Sequence, residues 1–171
     1  MQQAQMKTSL ATQLEAPSVE NFRPLLIAGL RKHFAVAPWK GTPELWQSFA
    51  PYLGKISGQV GSKAYGLCFL MANGVDYLSG VEVSGSSGLP NEFTMVSIPA
   101  QRYLVFAHGD HVSKLHITCD KIAEWLPTSG YRAAKPAGAP DFFERYSEEF
   151  NPSTGMGGME VWVSIKARSD R

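Results

Sequence analysis

One order of patterns occurs twice along this chain, and it restricts the fold more than any other feature. The first pass opens on Leu25-Leu26-Ile27-Ala28-Gly29-Leu30, an apolar run that reads as a buried strand continuing towards Phe34. After a loop over Val36–Gly41, Thr42 reads as a helix N-cap, with Pro43 at the first helical position and Glu44 in the first turn. Leu45, Phe49, Tyr52, Leu53 and Ile56 then recur at spacings of three and four, the apolar stripe of one helix, with Trp46 beside it. The polar, Gly-rich stretch Ser57–Lys63 is a loop. Tyr65–Met71 and Val75–Val83 are two strands joined by Asn73-Gly74, a strong hairpin signal.

Gly85–Pro90 is a soft join, and the order then repeats. Phe93–Ile98 and Arg102–His108 are extended, with Pro99 between them. Val112–Leu126 is a helix with Leu115, Ile122, Trp125 and Leu126 inward, stopped by Pro127-Thr128-Ser129-Gly130. A Pro/Gly-rich loop over Tyr131–Pro140 leads to a strand, Asp141–Ser147. The turn-rich Asn151–Gly158 leads to the last strand, Met159–Ala167. Each half reads strand, helix, strand, strand. The expected fold is α+β: a mostly antiparallel sheet with two helices on one face and a ligand cleft between the halves, lined by the opposite, concave face. Met1–Pro17 reads as a polar leader with a short helix on Thr8–Glu15. Residues 18–171 form one domain, with halves of approximately 18–85 and 91–168.

Composition narrows the function classes. With 16 basic and 15 acidic residues the net charge is +1, so nothing supplies the basic stripe that nucleic acid requires of this chain alone. No stretch approaches the roughly 20 apolar residues of a membrane span, and no signal peptide is present, so the expected location is the cytoplasm. Cys68 and Cys119 sit in apolar surroundings and read as buried thiols. His33, His108, His111 and His116 do not complete a metal-ligand spacing. Gly155-Met156-Gly157-Gly158 lacks the lysine and strand-to-helix context of a phosphate loop, and no serine sits in a nucleophile elbow. No metal, cofactor or nucleophilic catalysis is expected.

The chemistry concentrates on Asp141-Phe142-Phe143-Glu144-Arg145-Tyr146. Strand alternation puts Phe142, Glu144 and Tyr146 on one face, and Phe143 and Arg145 on the other. A carboxylate between two aromatic rings suits a pocket for an organic cation. An internal ion pair with Lys or Arg is the alternative. Glu160 shares a face with Trp162, and Glu82 one with Leu78; either acid could face the cleft or solvent. Trp162, on a polar strand face, is a stacking candidate, and Trp39, on a Pro/Gly loop, a lid candidate.

Four segments run in one order: Ile98-Pro99-Ala100-Gln101-Arg102-Tyr103 to Gly109, Glu124-Trp125-Leu126-Pro127 to Tyr131, Pro140 to Tyr146, and Met159-Glu160-Val161-Trp162-Val163-Ser164-Ile165-Lys166. Together with Asp76–Glu82 they resemble the gyrase-inhibitor-like (GyrI-like) superfamily, also called the AraC-type effector-binding domain, over roughly Phe22–Ala167. The resemblance implies a duplicated fold with a ligand cleft, and a pocket glutamate, here Glu144, that meets cationic lipophilic compounds among aromatics. It implies a freestanding drug- or effector-binding module without a DNA-binding domain, similar to mobile-cassette-encoded cationic-drug binders, with a separate DNA-binding protein as a further partner. The pair Ser164-Ile165 departs from the pattern, which usually carries a proline there. The expected ligand-binding residues are Glu144, Phe142, Tyr146, Trp162, Glu160, Trp39, Tyr77 and Glu82. The alternatives are a small-molecule hydrolase that uses the pocket glutamate as general base, and a gyrase-inhibitor-like protein-binding role.

Overall fold

The structure is a computed structural model that describes residues 14–166. Most of the expected leader and its short helix, and Ala167 at the expected end of the last strand, lie outside the described residues.

The elements in chain order are β1 (Ser18–Phe22), β2 (Leu25–Phe34), α1 (Thr42–Phe49), β3 (Gln59–Met71), β4 (Gly74–Val83), β5 (Thr94–Ile98), β6 (Gln101–His108), α2 (Leu115–Trp125), β7 (Phe142–Tyr146) and β8 (Met159–Ile165). The strands form one 8-stranded sheet in the order β1-β6-β8-β7-β3-β4-β2-β5. Every neighbouring pair is antiparallel. The two halves, β2-α1-β3-β4 and β6-α2-β7-β8, contribute the sheet segments β3-β4-β2 and β6-β8-β7. Outwards from the β7–β3 seam they run in the same order, β3-β4-β2 and β7-β8-β6, as a two-fold axis through the seam would arrange them.

β1 and β5 are exchanged between the halves. β1 precedes β2 but pairs with β6; β5 precedes β6 but pairs with β2. Only Arg23 and Pro24 separate β1, at one edge of the sheet, from β2, next to the other edge. Only Pro99 and Ala100 separate β5 from β6. Such short links pull the two edges together at that end, and the sheet curls about its helix-free face. That face is therefore core. Leu25, Ile27, Leu67, Leu78, Tyr103, Phe143 and Trp162 belong to one buried cluster on it. The concave face expected to line a cleft is instead packed shut.

Both helices lie on the other face. Phe49 of α1 packs with Ala28, Val81 and Val83, and Leu45 with Cys68 and Tyr77. Leu115 and Ile122 of α2 pack with Leu104, Phe106, Val161 and Val163. The first helix is shorter than its apolar periodicity. It begins at Thr42 with Gly41 in the capping position, and after Phe49 it tightens into a 3-10 turn, Ala50–Tyr52. Pro51 has no N–H to donate back to residue 47 and restricts the residue before it, so the α-helix stops there. Ile56 is still buried, carried inward by the turn that follows, whereas Leu53 faces outward. β3 reaches back to Gln59, through the stretch read as a loop, with an irregularity in its pairing between Gln59 and Ala64. That extension is mostly exposed and has no apolar alternation to show it; its pairing partner β4 makes it a strand. Among the described residues no helix is long and apolar enough to cross a membrane.

Candidate functional site

β7 lies next to the seam between the halves, and Glu144 is its middle residue. Strand alternation sends Glu144 to the face that carries the helices, together with Phe142 and Tyr146. α1 packs over β2 and β4, and α2 over β6 and β8, so the seam runs between them. Glu144 is thus on the floor of an interhelical cleft. It is only half-buried, although it lies mid-sheet between β3 and β8. Its accessible surface faces the cleft.

One cross-strand row crosses this floor: Leu30, Ser79, Gly66, Glu144 and Val161. Gly66 stands directly beside Glu144, and a glycine inside a strand commonly marks a close approach. Here the approach is that of the Tyr77 phenol. A Cβ on Gly66 would lie 2.0 Å from Tyr77 Oη and 2.7 Å from Glu144 Oε1. The bare backbone lets Tyr77 lean across β3 and donate to Glu144 Oε1 at 2.6 Å. Tyr146 Oη donates to the same oxygen at 2.9 Å, and Trp46 Nε1 of α1 donates to Tyr77 Oη at 3.0 Å. The second carboxylate oxygen, Oε2, has no hydrogen-bond partner among the described residues.

Burial pushes the Glu144 carboxyl above its ordinary value, and the two phenol hydrogen bonds work against that shift because they favour the carboxylate. The groups around it are held neutral. Burial first, and then the Glu144 charge, push the Tyr77 and Tyr146 phenols and the Cys68 thiol well up; burial and the same charge do so for the Cys119 thiol. No lysine, arginine or histidine among the described residues forms an ion pair with Glu144. Among the described residues the internal ion pair that the sequence left open is not formed.

Aromatic rings wall the carboxylate. The Trp46 ring meets Tyr146 edge-on at 5.4 Å and Tyr77 at 6.4 Å. Phe142 lies on the same face, opposite Cys68. Trp39, in the turn after β2, stacks on His116 of α2 at 4.7 Å with the rings 7° from parallel. The first half thereby touches the second across the gap between the helices. Trp39 is 45% exposed, so this contact is at the protein surface.

Three expected site residues are elsewhere. Trp162, Glu160 and Glu82 belong to the opposite face of the sheet. Trp162 is buried, stacked on Phe143 at 5.6 Å with Arg145 over its ring. Glu160 pairs with Arg145 at 2.8 Å, and Glu82 takes the Arg23 guanidinium, with Nη2 at 2.9 Å. Alternation grouped these residues correctly, but the curl of the sheet fills their face with core. Trp46, beside the apolar stripe of α1, contributes its N–H to the site. Gly66 is a further site residue, and its sequence signal is that of a lone glycine in a strongly apolar strand, which marks a close approach.

The two phenols differ in what their removal leaves behind. Tyr146→Phe removes one donor to Glu144. Tyr77→Phe also leaves the Trp46 N–H without its acceptor. Tyr77→Phe is expected to cost about 1 kcal/mol more than Tyr146→Phe, because a partly buried donor left unpaired retains its desolvation penalty. In a chain of this size that is about 2–4 °C in Tm. Equal melting temperatures for the two variants would show that the Trp46–Tyr77 link carries no weight.

The family model for the GyrI-like small molecule binding domain matches residues 15–166. The transcriptional regulator BrlR of Pseudomonas aeruginosa is 28% identical over 146 residues, covering 84% of this chain and 53% of the regulator. This chain therefore spans about half the length of that relative. Among solved structures, SAV2435 bound to tetraphenylphosphonium superposes with a TM-score of 0.70 at 18% identity, covering 90% of this chain and 95% of that one. An integron cassette protein from the mobile metagenome of Vibrio cholerae gives 0.62 at 14% identity, covering 90% and 97%. EcmrR in its DNA complex gives 0.67 at 11% identity, covering 96% of this chain and 62% of EcmrR.

Proposed function

Because this chain belongs to the GyrI-like small molecule binding domain family, we propose that the cleft between α1 and α2 holds a lipophilic aromatic cation against the Glu144 carboxylate. One observation carries the reading: Glu144 is a cleft-facing carboxylate that has phenol donors but no cationic partner among the described residues. A buried carboxylate without a counter-charge is costly. A ligand cation supplies the missing charge, and the rings of Trp46, Tyr146 and Phe142 supply the apolar and π surface that such cations prefer. Trp39, stacked on His116 at the surface, acts as a lid. Tetraphenylphosphonium, which SAV2435 binds, is a ligand of this class. The domain then serves as a sequestering protein, or as the sensor for a separate DNA-binding chain in the manner of the regulators it is related to.

Two ligands of one shape and opposite charge test the charge requirement. Tetraphenylphosphonium is expected to quench part of the fluorescence of the four tryptophans, chiefly through Trp46 and Trp39. Tetraphenylborate is expected to bind at least ~10-fold more weakly, a difference of about 1.4 kcal/mol or more. Equal affinities would remove the cationic specificity and leave only an apolar cleft.

A further inference from the structure

The two oxygens of the Glu144 carboxylate are unlike each other. Oε1 takes both phenol hydrogens, from Tyr77 at 2.6 Å and from Tyr146 at 2.9 Å. The Trp46 N–H is committed to Tyr77 Oη, so every donor gathered around the carboxylate serves Oε1, directly or through Tyr77. Oε2 has no hydrogen-bond partner among the described residues. It is also open. Among the described residues three side-chain polar atoms are buried without a partner, Ser79 Oγ, Tyr103 Oη and His116 Nδ1, and Oε2 is not one of them. An unpaired oxygen that is not enclosed is accessible, and the accessible surface of half-buried Glu144 faces the cleft. Besides the two tyrosines, the neighbours that feel the Glu144 charge are the Cys68 and Cys119 thiols, and a thiol is only a weak donor. The chain therefore leaves one carboxylate oxygen for something that enters the cleft.

We infer that Glu144 Oε2 accepts a hydrogen bond from the ligand, and that the cleft selects cations with an N–H on the charged nitrogen over quaternary cations of the same shape. The inference rests on the reading of Glu144 as the anchor for the charge and adds what that reading leaves open, the chemistry of the charged centre itself. An accessible carboxylate oxygen is hydrated in solution, and a cation seated against it displaces that hydration. A quaternary ammonium or phosphonium centre is surrounded by carbon. It supplies the charge but no hydrogen, so Oε2 loses its water and gains no donor. A protonated amine or ring nitrogen supplies both, and hydrogen bonds between charged groups are roughly twice as strong as neutral ones. Tetraphenylphosphonium is on this account a ligand of the weaker kind. The alternative is that Glu144 acts through its charge alone. In that case an N–H on the ligand makes no difference.

The test uses two dyes that are both cations at neutral pH. Protonated acridine orange carries a single N–H, on its ring nitrogen; 10-methyl acridine orange carries a methyl group there. The methyl group makes the second dye more lipophilic, so apolar burial by itself favours it. The unaltered protein is nevertheless expected to bind acridine orange roughly 10-fold more tightly, the range of one hydrogen bond to a charged group. Glu144→Gln is expected to weaken both dyes and to reduce the preference to about 3-fold or less, because the amide oxygen is a neutral acceptor. If both dyes bind with equal affinity and both weaken in Glu144→Gln, the N–H selection is wrong and the Glu144 reading stands. If both weaken but the preference is undiminished in Glu144→Gln, the methyl group is excluded by shape, and the selection through Oε2 is again wrong. If neither dye binds, or neither responds to Glu144→Gln, the cationic reading fails and the selection fails with it.

Discussion

Glu144→Gln is expected to weaken the binding of a lipophilic cation by roughly 10- to 100-fold, about 1.4 to 2.8 kcal/mol, while leaving the fold as stable or more stable. The substitution keeps shape and volume and removes only the charge. In the unliganded protein burial disfavours that charge, and no cation among the described residues compensates it. Its removal should therefore not harm the fold. The sign can be followed with pH. Burial raises the carboxyl above its unfolded value of 4.5, so between that value and the raised one the folded state holds more proton than the unfolded state. Stability then falls as pH rises through this window, and the penalty is present in full above it. Glu144→Gln should abolish this dependence, so that its gain over the unaltered protein appears above the window and vanishes below it. Cation affinity should run the other way. It should fall as acid protonates the carboxylate, about tenfold per pH unit once protonation dominates, and be flat in Glu144→Gln. Thermal melts and dye titrations across pH 4 to 8 give both curves. A sharp loss of stability at neutral pH with affinity intact would identify Glu144 as a structural group.

Gly66→Ala should damage the site without touching any polar group. The new Cβ would lie 2.0 Å from Tyr77 Oη and 2.6 Å from its Cζ, distances that no packing tolerates. Tyr77 is 3% exposed, and its hydroxyl is held by both Trp46 and Glu144, so the ring has no free rotamer to retreat into. The variant must give up the Tyr77–Glu144 bond, the Trp46–Tyr77 bond, or both. The expected cost is about 2 kcal/mol, the scale of one hydrogen bond to a charged group. That corresponds to about 4–8 °C in Tm for a chain of this length. Cation affinity should fall as well, because a carboxyl that has lost a donor holds its proton more tightly. Combining Gly66→Ala with Tyr77→Phe should cost less than the sum of the two, since both act on one hydroxyl. Full additivity, or an unaltered Tm in Gly66→Ala, would show that the gap above Gly66 is not what seats Tyr77.

The sequence alone determined the features that depend on local periodicity. Apolar runs and turns at matching places located the two halves, and a hairpin forms at the Asn73-Gly74 signal, shifted by one residue: Ala72 and Asn73 make the turn and Gly74 opens β4 opposite Met71. Alternation in Phe142–Tyr146 placed Phe142, Glu144 and Tyr146 together, and the structure keeps them together because a strand has only two faces. Alternation likewise set Trp162 with Glu160, and kept Glu82 with Leu78. What it could not say is which face opens. That depends on the two-residue links at Arg23-Pro24 and Pro99-Ala100, which join opposite edges of the sheet and close the Trp162 face into core. It also depends on the helices, which leave the Glu144 face open along the seam. Tyr77 and Glu144 are 67 positions apart and meet only because β3 lies between their strands and presents a glycine there. β1 has no apolar alternation of its own and exists as a strand because β6 offers it an edge. Periodicity is a property of a few consecutive residues and can be read from them. Which face is covered, and which side chain crosses to which strand, is decided by chain connections and pairings between distant segments, and only the folded chain brings those together.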